Sequence, residues 1–243
     1  KEGLPKSALE VVDIIMNKAN LEQNKPQVYK AYVHKCKFEI EINDNGLTHT
    51  LNSLKTEIDK SNIPLKQLFQ SLYAEMLWNY YQQNFWTISN RTYTDINNDD
   101  IETWDIRRII ENISKYYLFS VESKDELQKE EISAYKEIIE IPENSNNLRT
   151  TLYDILAHRA IEFFTNAKTS LSSLQDSFII DSPEFFSEAS AFVQLDIKAQ
   201  DEHSHLYKAF NLYQNLIKFY LNSNSIEALV DIDLMRLNFV REH

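Results

Sequence analysis

Apolar side chains recur along this chain every three or four residues, which is the spacing of one face of an α-helix. The pattern predicts a first helix from Pro5 and a second one that is capped by Asn24. A third, shorter helix is expected from Thr48 to Lys60, and Pro64 opens a long fourth helix. We expect Asn45-Gly46 to end the second helix, because asparagine and glycine accept the left-handed backbone that terminates helices.

The helical pattern stops between Trp86 and Trp104, where asparagine and aspartate predominate. Packed helices are usually joined by roughly 2–8 residues, so a connection of this length should either pack as a structural plug or carry function. Helix resumes near Thr103. Ser123 and Glu126 then have the spacing of a capping box, which predicts a helix that extends to about Glu140.

A second break is expected at 142–147, after which Thr150 or Thr151 caps a strongly apolar helix. The range 171–192 is ambiguous: residues 178–180 could be a short extended piece, and Pro183 is typical of a helix start. Clear helical spacing returns from about residue 202 and again after residue 225.

Helices of this length joined in pairs, each pair spanning roughly 40 residues, are typical of α-solenoids. We therefore predict an all-α fold of antiparallel helix pairs that forms a tetratricopeptide-like α-solenoid. Residues 1–243 are expected to form a single helical-repeat-like domain with a soft division near 141–150. The first residue is Lys1 and the last residues continue a helical pattern, so we expect a fragment of a longer chain.

Composition narrows the function classes. The chain contains two glycines, Gly3 and Gly46, where ordinary usage of about 7% would give roughly 17. Glycine builds tight hairpins, phosphate-binding loops and strained nucleophile turns, so β-sandwiches, nucleotide-binding loops and hydrolase elbows are disfavoured. The net charge of −12 argues against nucleic-acid partners. No apolar run approaches the roughly 20 residues of a bilayer crossing, so no membrane span is expected here.

Two histidine-containing groups could carry chemistry, and a structural role is favoured for each. Asp201, His203 and His205 could share a metal on a strand, but they precede a helix and are better interpreted as a polar cap. Asp154 and His158 are four residues apart on a confident helix and can pair directly, which favours a structural hydrogen bond over a catalytic or metal-binding role.

The remaining candidates are weaker still. Cys36 lies on the apolar face of a helix and is expected to be a buried, unreactive thiol; as the one cysteine, it excludes an internal disulfide. The acidic residues of the long loop lack the central glycine and terminal glutamate of an EF-hand calcium site. These acidic residues are Asp95, Asp99, Asp100 and Glu102. We therefore expect no catalytic, cofactor-binding or metal site.

A structural anchor is expected within the long loop. Arg91 lies in acidic surroundings, and Trp104 with Asp105 enters the next helix. An arginine bound to a carboxylate beside a buried tryptophan would hold the loop against the helices. We predict such a contact for Arg91, with Trp104 largely buried; an exposed Trp104 would instead indicate a binding surface.

Several segments, in order and spacing, resemble one known family. They are GLPKSALE at 3–10, SLYAEMLWNYY at 71–81, Arg91-Thr92 with Thr103-Trp104-Asp105, TLYDILAHRA at 151–160, LYQNL at 212–216 and DLMRL at 233–237. Together they resemble the N-terminal helical region of the large alpha-2-macroglobulin-like proteins of Bacteroides-type bacteria. The resemblance covers essentially the whole chain.

The resemblance implies a module at the front of a much longer protein that continues into macroglobulin-type β-sandwich domains. Such proteins are exported to the periplasm or anchored in the outer membrane at the cell surface, and they are regarded as endopeptidase inhibitors that trap proteases. The family's thioester segment reads Cys-Gly-Glu-Gln, whereas Lys37, Phe38 and Glu39 follow Cys36 here. No trapping residue therefore carries over.

Three hypotheses follow, of which an enzyme that uses Asp154, His158 or the cluster at 201–205 is the least favoured. The first is a non-catalytic, cofactor-free helical scaffold for protein–protein interaction, whose partners are the rest of its own chain, proteases or envelope proteins. The second is a free-standing tetratricopeptide-like adaptor that binds peptide or protein partners. The 13 tyrosines suit either contact surface, because tyrosine combines apolar area with a polar tip. The reading frame discriminates between the first two, since one that ends shortly after His243 excludes the first hypothesis.

Overall fold

The computed structural model of this chain describes residues 5–92, 100–139, 147–166, 178–198, 203–223 and 225–243. Within these ranges the regular structure is helical and no strand occurs. The all-α class is confirmed, and helices pack against their chain neighbours as in helical-repeat proteins. The α-helices of these ranges are α1 (Pro5–Leu21), α2 (Lys25–Ile42), α3 (Gly46–Lys60), α4 (Leu65–Gln83), α5 (Phe85–Ser89), α6 (Ile106–Val121), α7 (Lys124–Leu127), α8 (Leu152–Phe164), α9 (Ala189–Phe192), α10 (His205–Leu221) and α11 (Ile226–Glu242).

The contacts of the chain cluster into two compact units, Lys1–Ile141 and Pro142–His243. The first unit holds α1 to α7, and the second holds α8 to α11. The expected break at 142–147 lies, apart from residue 147, outside the described residues. That residues 1–243 form a single domain stays a prediction.

Consecutive hairpins build the first unit. Helices α1 to α4 are joined by links of three or four residues, and each contacts the next. Because such short links leave no room for a crossover, each helix must run back along the one before it. Helix α4 contacts α2, α3 and α6, and Phe69, Tyr73 and Leu77 are completely buried within it. The central position of α4 explains why its apolar residues extend around much of the helix.

Gly46 begins α3 and does not end α2, so the prediction of a helix-ending glycine is wrong. Helix α2 ends at Ile42, with Asn43 as the residue after it. A Cβ atom built on Gly46 would lie 2.6 Å from the Cα of Ile40 and 2.9 Å from the carbonyl oxygen of Glu39. Glycine is required here because the start of α3 lies directly against the backbone of α2, not because the backbone turns left-handed.

The predicted capping box at Ser123 is also wrong. Ser123 precedes the four-residue helix α7, but its hydroxyl makes no capping hydrogen bond. It accepts a hydrogen bond from Nε2 of Gln67 on α4 at 3.1 Å. Helix α7 stops at Leu127, and a 3₁₀ helix follows at Ile132–Tyr135 where one long helix was expected. The serine side chain therefore joins two elements of the unit instead of extending one of them.

In the second unit α10 packs between α8 and α11. Thr151 caps α8, and together with Asp154 it forms a complete capping box, which settles the choice between Thr150 and Thr151. The core of the unit is aromatic and centred on Phe210, whose ring lies 4.9–5.9 Å from four other rings. These are the rings of Phe178, Phe185, Phe192 and Phe239.

Candidate functional site

Arg91 holds the two ends of the long loop of the first unit together. Its Nη1 donates to the carbonyl oxygens of Trp104 at 2.8 Å and Ile101 at 3.3 Å, and its Nη2 donates to the Tyr80 hydroxyl at 3.1 Å. The expected carboxylate is not among these acceptors. The carbonyls of Ile101 and Trp104, at the two ends of the turn that contains the 3₁₀ helix Ile101–Thr103, take its place; a carbonyl oxygen has two lone pairs, so that of Ile101 accepts from Arg91 as well as from the Trp104 amide at 3.2 Å.

Trp104 and Asp105 complete the anchor. Trp104 is 2% exposed, and the Arg108 guanidinium carbon lies 4.6 Å from its ring centroid. Asp105 caps α6 by accepting a hydrogen bond from the Arg108 amide at 2.8 Å. The structure thus brings Arg91, Trp104 and Asp105 to one place, where Trp104 is part of the core and not of an exposed binding surface. Residues 93–99 of this loop, with Asp95 and Asp99, lie outside the described residues.

A second anchoring arginine, Arg236, was not singled out from the sequence. It is completely buried in α11, where Nη1 donates to the Phe185 carbonyl at 2.6 Å and Nη2 to the Ser187 carbonyl at 3.0 Å. Asp233, three residues earlier on the helix, accepts from Nε at 2.9 Å. The Asp233–Arg236 spacing is the one sequence signal for this site, since both carbonyl partners lie about 50 residues away.

Asp154 and His158 are hydrogen-bonded, but not as a carboxylate–imidazole pair. Oδ2 of Asp154 accepts from the amides of Thr150 at 2.9 Å and Thr151 at 2.7 Å, as well as from their hydroxyls. His158 Nδ1 lies 2.7 Å from the backbone carbonyl oxygen of Asp154. A carbonyl oxygen only accepts, so Nδ1 carries the proton of the neutral ring. The arrangement caps α8, which supports a structural role for both side chains.

The surroundings of His158 oppose its protonation. Burial and, next, the Arg149 guanidinium lower the pKa of His158 to about 4. Arg149 itself donates to the Asp231 carboxylate at 2.7 Å. The Nε2 atom of His158 is enclosed and has no hydrogen-bond partner in the part of the chain that the structure describes. A proton added at Nε2 would therefore be buried without an acceptor.

Ser204, and not His205, caps α10, so His205 has no part in the expected polar cap. The Ser204 hydroxyl, between His203 and His205 in the chain, accepts from the Tyr207 amide at 3.1 Å. The His205 ring lies 5.4 Å from the ring of Phe163 and 5.3 Å from that of Phe164, so it packs with aromatic side chains. The third member of the group, Asp201, lies outside the described residues.

Cys36 is buried, and burial with the nearby Glu39 raises the pKa of its thiol to about 12, as expected for an unreactive cysteine.

Asp100 and Glu102, the described members of the acidic loop, take part in a 3₁₀ turn in which the Asp100 carboxylate accepts from the Glu102 amide at 3.1 Å. Across the described ranges, no three side chains of the metal-binding types are grouped so that they could hold an ion.

Helices α1 and α11 each expose several apolar side chains to solvent. In α11 these are Ile226, Val230 and Leu234, which are 73%, 52% and 55% exposed and follow one another at intervals of four residues. We call these three residues the α11 stripe. In α1, Val11 and Ile14 are similarly exposed. Single exposed apolar residues are ordinary, but three successive turns on one helix face form a continuous apolar strip.

None of the helices in the described residues combines the length and apolar character that a bilayer crossing requires. Comparison of the chain with protein-family models, with curated proteins and with solved structures finds no match.

Proposed function

We propose that this chain is a non-catalytic helical scaffold for protein–protein contact, located at the front of an exported, longer alpha-2-macroglobulin-like protein. In this proposal its first partner is the remainder of that protein, which carries the macroglobulin-type domains and the protease-inhibiting function. The α11 stripe is the observation that carries the proposal. The family assignment itself rests on the ordered sequence segments described above.

The α11 stripe supports a covered helix face. Helix α11 turns Ala228, Ile232 and Phe239 into the core of the second unit, and all three are at most 4% exposed. Ile226, Val230 and Leu234 lie on the opposite side of the same helix. A helix that is apolar on two faces is normally packed on both, and helical repeats expose polar faces where their stacks end. A protein surface that covers the stripe would satisfy this pattern.

The buried polar groups support a role without catalysis. The Asp154 carboxylate is bound by the threonine amides and hydroxyls that start α8, and His158 is held by a backbone carbonyl. Arg91 and Arg236 each donate to two backbone carbonyls, and their remaining hydrogen bonds go to the Tyr80 hydroxyl and the Asp233 carboxylate. Each of these side chains holds a backbone segment in place through its hydrogen bonds, as expected in a structural scaffold.

Hydrogen–deuterium exchange of α11 tests the proposal. The coding sequence should continue beyond His243 into β-sandwich domains, and amides of α11 should exchange more slowly in the full-length protein than in the isolated 243-residue chain. Protection of α1 to α4 serves as the internal reference. Equal exchange of α11 in both proteins, or a reading frame that ends shortly after His243, would refute the proposal and favour a free-standing adaptor.

A matched pair of variants localises the contact. Val230→Glu places a charge in the α11 stripe, and Asn238→Glu places the same charge at an exposed polar position of the same helix. In the full-length protein, Val230→Glu should abolish the added protection of α11, because burying an unpaired carboxylate is costly. Asn238→Glu should leave the protection unchanged. Equal effects of both variants would place the contact elsewhere.

A further inference from the structure

A groove of about 440 Å³ lies on the second unit, between the 3₁₀ helix Pro183–Phe186 and the residues that follow α9. Its apolar lining includes the rings of Phe178 and Phe185 and the side chains of Leu195 and Ile197. The volume falls within the roughly 300–1,000 Å³ of small-ligand sites. The groove therefore offers room for a few side chains of a bound segment.

Two polar side chains of the helical core hold the walls of this groove in place. Arg236, completely buried in α11, donates to the carbonyls of Phe185 and Ser187 on one wall. Gln214 of α10 donates through Nε2 to the carbonyls of Phe192 and Leu195 on the other wall, at 3.0 Å each. Because these hydrogen bonds already hold the backbone of both walls against the helices, the walls lose little conformational freedom when a ligand binds.

The aromatic floor is fixed as well. The Phe178 ring lies 5.5 Å from that of Phe210 and 6.2 Å from that of Phe185, in tilted and edge-on arrangements. Phe178 is 8% exposed, whereas neighbouring Ile179 is 69% exposed. The groove thus combines a rigid apolar base with an exposed apolar edge, which together suit the insertion of an aromatic or branched side chain.

The charges around the groove are mostly negative. Asp181, Glu184 and Asp196 line it together with one cation, Lys198. Lys198 pairs with Asp196 at 2.8 Å, so these two charges offset each other. Within the described residues, Asp181 and Glu184 form no ion pair with a basic side chain. Carboxylates beside an apolar floor attract ligands that carry positive charge next to apolar surface.

We propose that this groove binds a short segment of a partner protein in which an aromatic or branched aliphatic side chain is flanked by lysine or arginine. The apolar side chain occupies the floor of Phe178 and Phe185, and the basic residues approach Asp181 and Glu184. The groove is a surface separate from the α11 stripe, so the inference stands independently of the proposed function.

Fluorescence anisotropy with two labelled peptides tests whether the groove binds such a segment. The probe is a fluorescein-labelled Ser-Arg-Phe-Lys-Ser peptide, and its counterpart is Ser-Glu-Phe-Asp-Ser. The basic peptide should bind the 243-residue chain saturably, with a dissociation constant below about 1 mM, and the acidic peptide at least about tenfold more weakly. Replacing the phenylalanine of the basic peptide by serine should also abolish binding, because the floor then gains no apolar contact.

Paired variants separate the groove from the general acidity of the chain. Asp181→Asn with Glu184→Gln removes two carboxylates at the groove and should weaken binding of the basic peptide about five- to tenfold. Glu188→Gln with Glu227→Gln removes two exposed carboxylates that do not line the groove and should leave binding unchanged.

Three outcomes would overturn the inference. They are the absence of saturable binding, equal binding of the basic and acidic peptides, and equal weakening by both double variants. Self-association of the chain that Asp181→Asn with Glu184→Gln abolishes would instead assign the groove to a second copy. Light scattering at the concentrations of the titration detects that case.

Discussion

Acid should destabilise this protein through one partly buried imidazole, that of His158, whose Nε2 atom is enclosed. In the folded chain burial and Arg149 lower the pKa of His158 to about 4, against an ordinary value of 6.5. The unfolded chain therefore binds a proton at His158 at pH values where the folded chain does not. The stabilising contribution of the neutral ring is complete above pH 6.5 and is lost as the pH falls towards 4.

The size of the effect follows from the two pKa values. A shift of one pKa unit corresponds to about 1.4 kcal/mol, so the full difference approaches about 3 kcal/mol. Between about pH 7 and about pH 4.5 the linkage relation gives a loss of about 2 kcal/mol in the free energy of unfolding. The charged groups facing His158 are Arg149, Asp154 and Asp231. Of these, Arg149 opposes protonation and the two carboxylates favour it.

Urea unfolding followed by far-UV circular dichroism measures this loss. The wild-type chain should lose about 2 kcal/mol more than the His158→Gln variant between about pH 7 and about pH 4.5, because glutamine does not titrate. Carboxylates elsewhere titrate equally in both proteins and cancel in the difference. His49→Gln, which removes an exposed histidine, should behave like the wild-type chain. Equal pH dependence of wild type and His158→Gln would refute the assignment.

The other predictions concern packing. Gly46→Ala should lower the free energy of unfolding by about 1–3 kcal/mol, despite the higher helix propensity of alanine, because the new Cβ meets the backbone of α2. Arg236→Met should lower it by about 2–4 kcal/mol, since two buried carbonyls and Asp233 lose their donor; urea unfolding measures both. Cys36 should react about a thousandfold more slowly with a disulfide reagent than in the unfolded chain, because its pKa is raised to about 12.

Matched controls accompany these variants. Asn52→Ala changes an exposed position of α3, and Arg241→Met removes an exposed arginine of α11; both should leave stability nearly unchanged. A Gly46→Ala chain as stable as the Asn52→Ala chain would contradict the close approach of α2 and α3. If Arg236→Met lowered the free energy of unfolding no more than Arg241→Met, the anchoring role of Arg236 would be contradicted. Rapid reaction of Cys36 with the disulfide reagent in the folded chain would contradict the burial of its thiol.

Helix positions were predictable because they depend on local spacing. Pro5 begins α1, Asn24 caps α2 through the Gln27 amide, and Thr151 caps α8, all as the sequence suggests. These features involve residues three or four positions apart, so composition and periodicity contain them. The predicted capping box at Ser123 was wrong because the Ser123 hydroxyl accepts a hydrogen bond from Gln67, 56 residues earlier in the chain. Such a competing partner cannot be recognised from the local pattern.

The candidate site shows the same division. The approach of Arg91 to Trp104 was expected, but the acceptor is a carbonyl, which every residue carries and no sequence pattern marks. Arg236 was overlooked for the same reason, since its acceptors at Phe185 and Ser187 are also backbone atoms. The apolar groove depends on two segments, 178–185 and 195–198, that α10 and α11 hold side by side. The sequence contains the charged residues of the groove, but it does not indicate that they lie close together around an apolar floor.

Both anchoring arginines contact the main chain, which makes the connecting segments tolerant of redesign. Carbonyl acceptors remain when side chains are exchanged, so Arg236 can hold the backbone at Phe185 and Ser187 whatever side chains the exposed neighbours Glu184 and Phe186 carry. Surface positions of these connections could accept new recognition sequences without loss of the scaffold, which makes the protein a candidate frame for grafted loops.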